Sequence, residues 1–322
     1  MNKLFLGIDT SAYTTSVAIV DDNEKVIFDS RKILEVGENK KGLRQQEAVF
    51  KHINNLPAIF DEIEDGNFAK RISAISVSSR PRNIEGSYMP VFTVGKGQAY
   101  IISKLLNNIP FKQFSHQEGH IGAGIIDSKL KNKDKFLAFH LSGGTTELLL
   151  VENNNENFNI EKVGGTLDIS TGQLIDRIGV NLGFSFPCGY NMDINSEGGC
   201  VIKRKLPLSL EDTWVNFSGH ENYFNNIINC GKYNNQDIII TLFHSIYLAL
   251  EKLIVNACCK YNTKDVLLIG GVASNSYIRE KIVCSLNNKS INTHLPNKYY
   301  CTDNAIGIAY LGKIKSGHLW RI

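Results

Sequence analysis

Two stretches about 130 residues apart follow one plan, and that repetition limits what this chain can fold into. LFLGIDTSAYTTSVAIVDD begins with apolar Leu4, Phe5 and Leu6 and passes through Gly7, Asp9, Thr10 and Ser11. It turns apolar again at Val17, Ala18, Ile19 and Val20. FLAFHLSGGTTELLLVE repeats the scheme, with Phe136 to Leu141, then Ser142, Gly143, Gly144 and Thr145, then Leu148 to Val151. An apolar run, a turn rich in Gly, Ser, Thr or Asp, and a second apolar run read as a β-hairpin. Two such hairpins at half-chain spacing predict an internal duplication and two lobes.

Helical patterns separate the hairpins. Arg44 to Ile63 carries apolar residues at helical spacing, with Pro57 placed to kink or split it. Ile72 to Ser79 reads as a strand and Gly95 to Leu106 as a helix. Further on, Ile169 to Leu182 and Gln236 to Tyr261 read as helices. DVLLIGGVASNSYIREKIV reads as a buried strand, a Gly-Gly turn and a helix from near Ser274. The Asn-rich stretch 152–159 reads as a solvated hairpin tip. Strands alternating with helices make the class α/β.

Composition narrows the field without naming a function. The 322 residues are 43% hydrophobic and 21% charged, ordinary for a globular protein. A net charge of +3 is compatible with an anionic ligand but too weak to imply nucleic-acid binding by itself. No stretch is read as approaching the roughly 20 apolar residues that span a bilayer. The start MNKLFLGIDTS has only a short apolar run before Asp9, so no secretory leader is read there. The seven cysteines are scattered and form no CxxC pair, which fits reduced thiols. A cytoplasmic location and no membrane partner are therefore expected.

Three turns suit a phosphate chain. The GIDTS and LSGGTT turns bring glycine, whose backbone allows close approach, together with hydroxyl donors. Each alone is equally a tight hairpin; a matching pair on two lobes, facing across a cleft, points to phosphate binding. IGGVASN, 269–275, ends a buried strand in Gly-Gly before a helix, another nucleotide-contact arrangement. GxGxxG and GxxxxGK[ST] are both absent, which disfavours a dinucleotide fold and a P-loop.

FSHQEGHIGAG places His116 and His120 at i and i+4, on one helix face. Such a pair either grips one ion or lies on an exposed face, and spacing alone does not decide. The HExxH order of zinc proteases is absent. Gln117 follows the first histidine, and Glu118 lies about 200° around the helix from His116, pointing away from an ion.

GIDTS, HQEGH, LSGGTTEL, TLDISTGQLIDRIGVNLGFSFPCG, NFSG (216–219), GGVASN and CTDNAIGIA occur in the order found in the TsaD family, which this chain resembles over essentially its whole length. These are tRNA N6-threonylcarbamoyladenosine synthase subunits, formerly called O-sialoglycoprotein endopeptidase or glycoprotease. The resemblance implies an actin/sugar-kinase/Hsp70-like fold, with two RNase H-like lobes around a nucleotide- and metal-binding cleft. The lobes are expected at 1–130 and 131–301, with 302–322 packing back on the first.

The resemblance also implies residue roles. His116, His120 and Asp303 match the metal ligands, and two imidazoles with a carboxylate suit one divalent ion, Fe or Zn. Leu141, Ser142, Gly143 and Gly144 match the strand and turn that hold phosphates. Asp176 and Gly189 match residues that bind the ribose and the neighbouring nucleotide surface. Gly270, Gly271 and Asn275 belong to the third nucleotide contact. The ligand implied is an ATP/AMP-type nucleotide or threonylcarbamoyl-AMP. The reaction implied is threonylcarbamoyl transfer to N6 of adenine 37 in tRNAs reading ANN codons, with TsaB-like and TsaE-like partners.

Four departures bear on activity. TSCDET is TSAYTT here, so Ala12, Tyr13 and Thr14 replace Cys, Asp and Glu. The GPG loop is SSRPRNIEGSYMPVFTVG, longer and with Arg80 and Arg82 flanking Pro81. Those arginines are expected either to meet a phosphate or carboxylate or to form an exposed basic loop. SGGHT is SGGTT, with Thr145 for His. DDxxGE is DISTGQ, with Ile169 and Gln173 for Asp and Glu. Thr10, Ser11 and Thr145 are the remaining candidates to support catalysis. The departures keep a second expectation open: a diverged paralogue that carbamoylates another acceptor, hydrolyses nucleotide or acts as a scaffold.

Overall fold

The computed structural model describes residues 2–11, 13–35, 43–154 and 156–317. Ala12, Asn155 of the hairpin tip and 318–322 of the returning tail lie outside them. The first elements are β1 (Leu4–Ser11), β2 (Thr14–Asp21), β3 (Val26–Ile33), α1 (Gln45–Phe60), α2 (Phe68–Arg71), β4 (Ile72–Arg80), α3 (Phe92–Leu105), β5 (Phe111–Ser115) and α4 (His116–Ile125). There follow β6 (Lys135–Leu141), β7 (Thr146–Asn153), β8 (Phe158–Thr166), α5 (Thr171–Asn181), α6 (Gly189–Asn195), β9 (Ser209–Glu211), β10 (Trp214–Asn216), α7 (Ser218–Asn229) and α8 (Asn235–Tyr261). The chain closes with β11 (Asp265–Ile269), α9 (Ser276–Asn287), β12 (Asn292–His294) and α10 (Ile306–Ile314).

Two compact units result. The first comprises 1–132, 153–159 and 296–322; the second comprises 133–152 and 160–295. The first unit's sheet has the order β3-β2-β1-β4-β5. In the second, β8-β7-β6-β11-β12 repeats that order, and β10 and β9 extend the β8 edge. In both, the hairpin strands pair antiparallel, while β4 and β11 join β1 and β6 in parallel. The duplicated hairpins therefore become duplicated sheets.

In the first unit Leu4, Leu6, Ile8, Val17, Ile19, Ile75 and Val77 pack with Leu56 and Ile59 of α1 and with Val94 and Ala99 of α3. Burying each aliphatic side chain of that size stabilises by about 1.5–3 kcal/mol. Pro57 does not split α1, which runs unbroken to Phe60. It sits in the last turn, so it removes one hydrogen bond while Leu56 and Ile59 keep the helix docked.

α10 packs on β1, β2 and β4 and crosses α4. The crossing needs glycine: a Cβ on Gly307 would lie 1.8 Å from Gly119 O. This close approach explains the Gly-rich sequence of α4. It also sets the residues just before α10 beside the start of α4.

In the second unit α8 runs through the core, with Ile239, Leu242, Phe243, Ile246, Leu250 and Leu253 buried. One sequence expectation needs correcting here. α8 is long and apolar enough to cross a membrane, with a mean hydropathy of 1.8 over its most apolar window. Thr241, His244, Ser245 and Tyr247 are interspersed in its apolar run. Of that window 67% is buried inside the protein, as befits a core helix.

Candidate metal centre and nucleotide turn

The metal candidates lie within the first unit. Ser115 caps α4: its Oγ accepts from Glu118 N, and Glu118 Oε2 accepts from Ser115 N and Oγ at 2.7 and 2.8 Å. This capping box fixes where the helix starts and commits the buried Glu118 carboxylate to it. His116 and His120 then stand one turn apart, ring centroids 4.5 Å from each other.

Asp303, arriving just before α10, completes the set. His116 Nε2 and His120 Nε2 are 3.1 Å apart, and each lies 3.4 and 3.3 Å, respectively, from Asp303 Oδ1. Two nitrogens and an oxygen bound at about 2.0–2.2 Å to one ion lie about 3.0–3.4 Å apart. The spacing of the three candidate ligand atoms therefore fits a single divalent ion.

A fourth residue, which the sequence reading passed over, sets the tautomer. Asp9 Oδ2 lies 2.7 Å from His116 Nδ1, and Ser78 Oγ donates to Asp9 Oδ1 at 2.7 Å. With the Nδ1 proton directed at Asp9, Nε2 offers its lone pair to an ion. The available signal was a carboxylate at the end of an otherwise apolar strand, since a fully buried charge requires a partner. Burial would lower the His116 pKa, but Asp9 and Asp303 outweigh it and hold the imidazole well above its ordinary value. Burial would likewise raise Asp303, but His116 and His120 hold it well below the carboxylate range. The same negative field that favours a proton favours a cation.

Of the neighbouring candidates, Thr10 has another commitment. Thr10 Oγ1 donates to Val91 O and accepts from Gly95 N, tying β1 to the start of α3. Ser11 is buried, and its Oγ has no hydrogen-bond partner among the described residues. Tyr13 is exposed and Thr14 buried. Arg80 is not part of an exposed loop: it is buried at the end of β4, donates to Asn83 Oδ1 and feels the charge of Glu118.

The nucleotide candidates lie in the second unit. Ser142 N donates to Thr145 O, and Thr145 N donates to Ser142 Oγ, closing the turn after Leu141. Gly143 and Gly144 are exposed, with no atom within 4 Å of where a Cβ would stand. The turn is braced from α5: Ser170 Oγ donates to Gly143 O, and Thr171 N to Thr146 Oγ1. It is braced again by Gly270, whose φ is +94° and whose Cβ would lie 2.3 Å from Leu141 O. Leu141 to Gly144 and Gly270 are thus brought together, and Gly271 follows in the open.

Asn275 is adjacent but occupied, since its Oδ1 caps α9 by accepting from Ile278 N. Asp176 Oδ1 accepts from Cys188 N, which places it next to Gly189. Burial raises the Asp176 carboxyl above its ordinary value against that hydrogen bond.

Two departures from the resemblance have structural roles. Gln173 completes a capping box with Ser170, as a glutamate would. Ile169 packs against the core. Asp168, another residue missed from sequence, accepts from the backbone N–H groups of Ile169, Phe217 and Ser218. Although burial pulls the other way, the Ser218 hydroxyl and then those backbone bonds bring its pKa down to about 2.

The family model "TsaD: tRNA N6-adenosine threonylcarbamoyltransferase" matches residues 32–310. The chain is 31% identical over 315 residues to the tRNA N6-adenosine threonylcarbamoyltransferase of Sulfurihydrogenibium sp. (strain YO3AOP1), covering 95% of this chain and 89% of that one. The protein of the same description from Mesomycoplasma hyopneumoniae (strain 7448) is 30% identical over 324 residues, covering 96% and 97%. Among solved structures, HypF of T. kodakarensis aligns with a TM-score of 0.60 at 16% identity, covering 97% of this chain and 47% of that one. A ROK family glucokinase from Streptomyces griseus, in complex with glucose and AMPPNP, aligns at 0.52 and 9%, covering 97% and 99%. At such identities these likenesses show the fold alone: α/β, of the actin/sugar-kinase type.

Proposed function

The chain belongs to the TsaD family, and from that premise we propose that it is a metal-dependent tRNA N6-adenosine threonylcarbamoyltransferase. It moves the threonylcarbamoyl group from threonylcarbamoyl-AMP to N6 of adenine 37 in tRNAs reading ANN codons. The adenine amine forms a C–N bond to the carbamoyl carbon, the C–O bond to the phosphate of AMP breaks, and the amine gives up a proton.

The observation that carries this reading is the ligand set His116, His120 and Asp303, with Asp9 already orienting the first imidazole. When bound, a divalent ion there supplies a Lewis acid for a carbonyl or phosphoryl oxygen. Fe and Zn both suit the donors. Asp9 keeps a proton at His116 Nδ1 and so holds Nε2 as a ligand. The turn from Ser142 to Thr145 offers backbone N–H groups to an anion such as the phosphate of AMP. No carboxylate stands at Tyr13 or Thr14 to take the amine proton, so positioning supplies most of the rate. TsaB-like and TsaE-like partners and a cytoplasmic location belong to the same reading.

The non-acidic Tyr13 and Thr14 also favour a second reading. In it the protein binds metal and nucleotide but carbamoylates another acceptor, hydrolyses nucleotide or acts as a scaffold. One experiment separates the two. The purified protein, its partner proteins, threonylcarbamoyl-AMP and tRNA are combined, and the modified nucleoside is measured. The first reading expects product that disappears in His120→Ala. No product, under conditions where a related functional subunit succeeds, replaces it with the second.

A further inference from the structure

We propose that Arg31 is a positioning residue for the metal centre, fixing the loop that presents Asp303. The proposal rests on the assignment of His116, His120 and Asp303 as metal ligands. Asp303 is carried by an irregular segment between β12 and α10 that holds only one short 3-10 turn, Lys298–Tyr300. A ligand on such a segment costs conformational entropy at each binding event unless the fold has already ordered it.

Arg31 does that ordering from β3. Its Nη1 donates to Tyr299 O at 2.9 Å, to Thr302 Oγ1 at 3.0 Å and towards Asp303 O at 3.5 Å. Its Nε donates to Asp29 Oδ2 at 2.9 Å, and the Tyr299 hydroxyl donates to that same oxygen at 2.5 Å. The guanidinium carbon lies 4.1 Å over the Tyr299 ring. Arg31 and Asp29 side chains are only 13% and 6% exposed, so their ion pair is shielded from water, while Tyr299 and Thr302 lie at the surface. A planar guanidinium reaches Asp29 with one edge and the loop with another; a lysine ammonium cannot reproduce both.

The register shows why this residue serves that loop. Ser16 on β2 pairs with Asp9 on β1 and with Arg31 on β3. Residues directly opposed across antiparallel strands share a face. Ser16 Oγ accepts from Ala305 N at 2.9 Å. One rank across three strands therefore serves both ends of the ligand set. Asp9 orients His116, while Ser16 and Arg31 hold the segment on either side of Asp303.

The test measures metal affinity, not turnover. Full-length wild type, Arg31→Ala, Arg31→Lys, Thr302→Val and His120→Ala are titrated with Zn2+ and with Co2+ against a chelator. Circular dichroism of the metal-free proteins checks folding. Arg31→Ala is expected to weaken binding by about 10–100-fold, the range for residues that support a ligand from behind. Thr302→Val, which removes a single acceptor, is expected to weaken it by a smaller factor, with Arg31→Lys between the two. The visible Co2+ spectrum should change with Arg31→Ala, which a general loss of stability would not cause. Arg71→Ala, breaking the exposed pair with Asp65, should leave affinity unchanged. Wild-type affinity in Arg31→Ala and Thr302→Val overturns the proposal, and Thr302→Val alone decides if Arg31→Ala does not fold. Wild type binding no better than His120→Ala overturns instead the ligand assignment beneath it.

Discussion

The two hairpins share a plan and are used in opposite ways. In the first unit the strand ends on either side of the exposed Tyr13 are buried, and side chains do the work: Asp9 holds His116, and Thr10 ties β1 to α3. In the second unit the turn is exposed, and what it presents is backbone, since nothing crowds Gly143 or Gly144. One hairpin is suited to organising a cation and the other to receiving an anion. Duplicated architecture leaves chemistry to the few residues at the turn.

That contrast breaks most visibly at the ligands. His120→Ala should lower metal affinity by more than about 100-fold, exceeding the loss from any supporting residue, while AMP binding measured by calorimetry holds. Asp9→Asn is the next largest. It leaves the three ligands in place but removes the charge at His116 Nδ1, and should cost about 10–100-fold in metal affinity by chelator competition. Equal affinity in Asp9→Asn and wild type would mean that His116 needs no orientation.

The opposite half of the contrast is probed with Gly143→Ala. Its added methyl meets open space, so stability should change by no more than about 0.5 kcal/mol. If the backbone is the phosphate site, AMP affinity should fall by about tenfold through lost charge-assisted hydrogen bonds, with metal affinity unchanged. Unchanged AMP binding would move the nucleotide elsewhere.

The smallest effect concerns the support of the second unit. Asp168 has a folded pKa of about 2, below its ordinary 3.8. A depressed carboxyl stabilises above its unfolded pKa, and the contribution disappears as pH falls through the folded value. Asp168 is solvent-exposed, so Asp168→Asn should cost about 1 kcal/mol at pH 7 after screening. Denaturant melts of mutant and wild type should converge towards pH 2.

Much of this was legible because it is local or repeated. The alternating apolar runs carried the duplicated sheets, and HQEGH placed two candidate ligands on one helical face. Asp303 came through the resemblance rather than the spacing, because no local rule links residues almost 190 apart. What escaped depends on register and packing. Asp9 and Arg31 gain their roles only when β1, β2 and β3 align them with Ser16. Arg80 stood in what looked like a basic loop until β4 extended far enough to bury it. Asn275 stood in a nucleotide motif while its side chain capped α9. The membrane-length apolarity of α8 is understood only once the core around it is seen.

Anomalous diffraction from crystals grown with Zn2+ and AMP tests the account most directly. It predicts a single strong peak within about 2.0–2.2 Å of His116 Nε2, His120 Nε2 and an Asp303 oxygen, absent from Asp303→Ala crystals. A peak elsewhere, or the same peak in Asp303→Ala, would contradict it.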